Sequence, residues 1–271
     1  MHSIPILFLL ACSTENQAEP TPSVQTAVQP TPPKRLDVEE EDPRTTALTP
    51  SPLETRLAAE RSGLTTSLPS LIPARNFNFR NEDVNHIAMR TGILLADTVL
   101  TISELPKAQL EQNLKNIEEG LRKMKAGNGL LSMLADLRVQ VTNDSLTRKE
   151  LLSEMEDIVS MSVPEQGFGK EDKTGPLLQA GAWLSSINLV SKAIVKESKP
   201  AAAGNLLRHG KVADYFLLYA ETKGRDKAPE AIIQKLQSAL QALKSISEKE
   251  TITMDDVQTI IGETDALLSM V

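Results

Sequence analysis

Between residues 107 and 125 the apolar side chains fall at Leu110, Leu114, Ile117, Leu121 and Met124, in steps of four, three, four and three. At 3.6 residues per turn these positions share one face of a helix, whereas a strand would scatter them over both of its faces. The same spacing returns at Ile232, Leu236, Leu240 and Leu243. No sustained run of β-branched residues alternates with polar ones, and aromatic residues make up only 3% of the chain. A β architecture has little to build with here, so the fold class is all-α.

The punctuation between periodic stretches gives about eight helices, joined by loops short enough to make neighbours antiparallel in a multi-helix bundle. They are expected over residues 82–102, 107–125, 130–141, 147–161, 176–195, 200–222, 228–246 and 254–268. Asn81, Thr147, Asp226 and Thr253 can cap helices; Thr147 with Glu150 has capping-box spacing, and Pro176 and Pro200 suit first turns. Ser51 and Glu54 could cap a brief extra helix over residues 52–62.

Two of these helices are too apolar to lie on a surface. The first carries Ile87, Ile93, Leu94, Leu95, Val99 and Leu100, and the fifth carries Leu177, Trp183, Leu184, Ile187, Val190 and Ile194. Asp97 and Lys192 interrupt them, so they read as core helices and not membrane spans. Each has small residues four apart, Ala88, Gly92 and Ala96 in one and Gly181 and Ser185 in the other, which would let two helix backbones approach closely.

The N-terminal part is of another kind. Between residues 13 and 52 stand eight of the 16 prolines, among Thr, Gln and Glu. So little apolar surface cannot offset the entropy of ordering, and residues 12–75 read as a disordered tether ahead of a helical domain over 76–271. As extended polyproline, the 40 residues from 13 to 52 could reach roughly 120 Å. The acidic run DVEEED at 37–42 reads as a solvated charge run.

Ahead of the tether, an eight-residue apolar run at 4–11 ends in Ala11 and the only cysteine of the chain, Cys12, with Leu9 three positions before it. This resembles the signal peptide and lipobox of bacterial lipoproteins. The resemblance covers residues 1–13 and implies removal of residues 1–11 and lipidation of Cys12. It also implies a lipid anchor in the bacterial cell envelope and, with Ser13 next to the cysteine, an outer-membrane destination facing the periplasm. No family resemblance extends to the helical domain.

Motifs for chemistry are sparse. The stretch GFGKEDKT at 167–174 has Asp172 where a phosphate-binding loop needs glycine, and a carboxylate there would repel phosphate. His86 and His209 stand alone, without metal-ligand spacing, and neither a cofactor nor a metal is called for. A net charge of −7 argues against nucleic acid as a partner. What remains is a polar group on an apolar helix: Asp97, with Arg90 seven residues before it on nearly the same face. The pair reads either as a structural ion pair or as the polar centre of a pocket, which Trp183, Asn188, Tyr215 and Tyr219 could join. The expected product is a lipid-anchored envelope protein with a non-catalytic helical domain that binds a protein partner or a small ligand. The alternatives are an envelope enzyme with a dispersed polar site and a purely structural spacer.

Overall fold

A computed structural model of the chain describes residues 49–73, 75, 77, 79, 83–162, 174–221 and 230–271. All of them belong to one unit, Glu41–Val271. Cys12, the tether as far as residue 48, the caps expected at Asn81 and Asp226, and the loop over 163–173 lie outside the described residues.

Among the described residues there are ten α-helices and no strand: α1 (Pro52–Arg61), α2 (Val84–Thr101), α3 (Lys107–Lys123), α4 (Asn128–Thr142), α5 (Arg148–Met161), α6 (Gly175–Glu197), α7 (Pro200–Leu206), α8 (Gly210–Tyr219), α9 (Glu230–Ser247) and α10 (Met254–Leu268). A 3₁₀ turn, Leu68–Leu71, follows α1. The caps explain several of these starts. Ser51 with Glu54, Thr147 with Glu150 and Thr253 with Asp256 each form a reciprocal capping box, in which two backbone N–H groups that lack intrahelical partners are satisfied. The Asp83 carboxylate does not cap α2; it accepts from Asn85 Nδ2 at 2.9 Å.

α2 and α6 form the centre, and their mutual interface is the most extensive in the fold. Gly92 and Gly181 are the reason. A Cβ on Gly92 would sit 1.9 Å from the Leu178 carbonyl oxygen, and one on Gly181 would sit 2.3 Å from that of Met89. The two backbones are in direct contact at this crossing. α3 lies against α2, α10 against α6, and the sequential pairs α3–α4, α4–α5, α8–α9 and α9–α10 wrap the remaining surface. Gly120 on α3 admits the Thr91 side chain of α2 in the same way, its absent Cβ falling 2.0 Å from Thr91 Oγ1.

Two expectations change. The helix expected over 200–222 is two helices, broken at Leu207, Arg208 and His209. Periodicity continues across the break, but Arg208 turns its guanidinium to the end of α9. There it donates to the carbonyls of Ser247, Lys249 and Glu250 at 2.7–3.0 Å, satisfying groups that α9 leaves open. Residues 49–73, expected to lie in the tether, are structured. They fold onto the domain: Thr55 and Ala59 of α1 are buried, and the Glu197 carboxylate accepts from the backbone N–H groups of Thr65 and Thr66 at 2.6 and 2.5 Å.

Candidate functional site

The polar centre expected on α2 exists, with a different cation. Asp97 is 3% exposed and accepts from Arg75 Nη1 at 2.6 Å and from Ser185 Oγ of α6 at 2.6 Å. Arg90 sits two turns before Asp97, about 10 Å along the axis, and helical side chains lean toward the N-terminus. It therefore leans away from Asp97 and donates through Nε to the Val271 carbonyl. Arg75 lies in the segment between the 3₁₀ turn and α2, which has no periodicity and gave no sign of a role. Burial pushes the Asp97 carboxyl above its ordinary range, against the opposing effects of Arg75, Ser185 and Lys192.

Arg75 and Arg90 meet in a cavity of about 440 Å³. Its wall also carries Lys192 of α6, Asp265 of α10, and the apolar Phe77, Ile93 and Leu268. Lys192 Nζ donates to Asp265 Oδ1 at 2.7 Å, and Asn188 Nδ2 donates to the same oxygen and to Thr264 Oγ1, both at 2.9 Å. Asn188 is thus fully buried just behind the wall, where it fixes Asp265 and with it Lys192. Arg75 Nη2 and Asn188 Oδ1 are buried without a hydrogen-bond partner. A buried guanidinium N–H left unmade is costly, and an acceptor in the cavity would satisfy it.

The side chains on the wall are three cations and one carboxylate, with Asp97 behind it; Lys192 is paired with Asp265, and Arg90 with the backbone oxygen of Val271, which also lines the cavity. Planar guanidinium groups match carboxylate and phosphate oxygens in pairs, and apolar walls suit a hydrocarbon body. The volume falls in the range of small-molecule sites, about 300–1,000 Å³. The arrangement has the chemistry to hold an organic anion.

The other expected pocket residues lie elsewhere. Trp183 is 1% exposed and its ring stacks on Phe216 at 5.6 Å between centroids, with His209 edge-on at 6.4 Å. Tyr215 packs on Phe216 at 4.9 Å, and Tyr219 is buried one turn further along α8. Tyr215, Tyr219 and Trp183 do not line the cationic cavity. His209 Nε2 lies 3.0 Å from the Leu206 carbonyl, and burial holds its imidazole below the usual histidine range. Among the described residues no group of three or more His, Cys, Asp or Glu is placed to hold a metal ion, and no helix is long and apolar enough to cross a membrane.

Lys192 was visible in the sequence as a charge on an apolar helix, the same signal that marks Asp97. Ser185 was visible only as a small residue. Compared with known proteins, the chain matches no protein-family model, no curated protein sequence and no solved structure.

Proposed function

We propose that this is a lipid-anchored protein of the bacterial envelope whose helical domain binds a small organic anion with an apolar body. The single observation that carries the binding role is the cavity in which Arg75, Arg90 and Lys192 converge beside Phe77, Ile93 and Leu268. The orphaned Nη2 of Arg75 supports it further. Binding fits better than catalysis, because the carboxylates here are engaged: Asp97 by Arg75 and Ser185, Asp265 by Lys192 and Asn188. A protein-docking role would want a contiguous apolar patch. The large exposed apolar side chains among the described residues, Leu57, Val84, Val139, Leu218 and Met270, sit on separate elements.

Anilinonaphthalene sulfonate, an apolar anion of suitable size, tests the site. Its fluorescence should rise saturably with the native protein and be displaced by octanoate. Arg75→Gln and Arg90→Gln together should weaken it by at least tenfold. Binding that survives both substitutions unchanged would place the probe elsewhere and remove the reading. The anchor rests on Ala11-Cys12 behind the apolar run. Cys12→Ser should move the protein from the membrane to the soluble fraction, and unchanged membrane association would refute lipidation.

A further inference from the structure

A second cavity, of about 210 Å³, lies among α1, α2, α5 and α6. It is lined by Ser51 and Glu54 at the start of α1, by Glu156 and Ser162 of the α5 end, and by Trp183. Two of the lining residues each hold a buried polar atom without a hydrogen-bond partner: the indole Nε1 of Trp183, a donor, and the carboxyl Oε2 of Glu156, an acceptor. Buried polar groups are nearly always hydrogen-bonded, so an orphan donor and an orphan acceptor bordering one void point to an occupant that completes both.

The wall defines the occupant's chemistry. Glu54 and Glu156 both line the cavity, and among the described residues no Lys or Arg does. Ser51 lines the cavity with Glu156, whose Oε2 is open. Burial and the neighbouring Glu54 and Asp157 hold the Glu156 carboxyl above its ordinary range, and a cation beside it would offset that cost. The space equals the liquid-volume share of about seven waters, so the occupant is small.

We infer that this cavity is a binding site for a small primary ammonium compound that carries a hydrogen-bond acceptor near its charge, the ammonium donating to Glu156 and the acceptor receiving the Trp183 N–H. The site is independent of the cationic cavity and would stand if that one bound nothing.

Trp183 is the only tryptophan, so the tryptophan emission comes from the wall of this cavity. The full-length protein is titrated with glycinamide, with acetamide as the control that keeps the acceptor and lacks the charge. The expected result is a saturable shift with glycinamide at least tenfold tighter than any with acetamide. Glu156→Gln should abolish the preference while circular dichroism stays helical. If that variant does not fold, the indole N–H resonance of Trp183 in the wild-type protein takes its place, and it should move saturably with glycinamide and not with acetamide. No saturable response, equal responses to the two compounds, or a crystal soaked in glycinamide that shows only ordered water between Trp183 and Glu156 would each overturn the inference.

Discussion

Gly92→Ala should destabilise the protein, although alanine is the better helix former. The added Cβ would stand 1.9 Å from the Leu178 carbonyl oxygen and 2.9 Å from the Ala182 nitrogen, where ordinary contact begins at 3.4 Å. Both obstacles are backbone within α6, so neither can rotate away. The helices must separate by roughly 1.5 Å at the crossing, loosening the packing along α2 and α6. Overpacking typically costs about 1–3 kcal/mol when side chains can yield, and rigid backbone puts this case at or above the upper end. The helix-propensity gain of alanine over glycine offsets about 1 kcal/mol. The net loss is about 2 kcal/mol or more, a fall in Tm of roughly 4–8 °C for a domain of this size.

Gly262→Ala in α10 is the internal control, since a Cβ there meets nothing within 4 Å. It should gain up to about 1 kcal/mol. Thermal and urea unfolding followed by circular dichroism read both variants. Gly181→Ala presses on the same crossing from the other side, so its combination with Gly92→Ala should cost less than the sum, one separation serving both groups. A Gly92→Ala protein as stable as Gly262→Ala would refute the close backbone approach.

Two carboxylates should give opposite pH dependence. Lys199 first, then Thr66 and the backbone N–H groups of Thr65 and Thr66, hold Glu197 down to about 2 from an ordinary 4.5. A lowered folded value gives stability that is present above 4.5 and lost as pH falls through about 2, so Glu197→Gln should flatten the acid limb of a stability–pH curve. Asp97 is pushed above its ordinary 3.8 by burial, so its contribution is complete below that value and is lost as pH rises through the folded pKa. Asp97→Asn should therefore gain on the wild type as pH rises from about 3.8; a difference independent of pH would mean the carboxyl is not strained by burial.

Local chemistry was the legible part of this chain. Steps of three and four announced α3 and α9, and the capping boxes at Ser51 and Thr147 and the cap at Thr253 depend only on residues three apart. The breadth of apolar surface on α2 and α6 marked them as central, and their small residues at four-residue spacing anticipated the contact of Gly92 and Gly181 with backbone. These features lie within a single helix, where sequence separation fixes spatial separation.

What the sequence alone determined is thus the helical class, most of the helix starts and the two core helices. Tertiary structure decided which charges meet. Asp97 pairs with Arg75 across 22 residues and with Ser185 across 88, while Arg90, its neighbour along the helix, leans the other way. The break before α8 depends on carbonyls of Ser247, Lys249 and Glu250 that Arg208 reaches across about forty residues. Trp183 and Glu156 reach one cavity from different helices, and neither carries a local mark of the other. Ion pairs and cavities form where packed helices bring distant residues within a few ångströms, and a periodic pattern specifies a helix face without naming the face that will cover it.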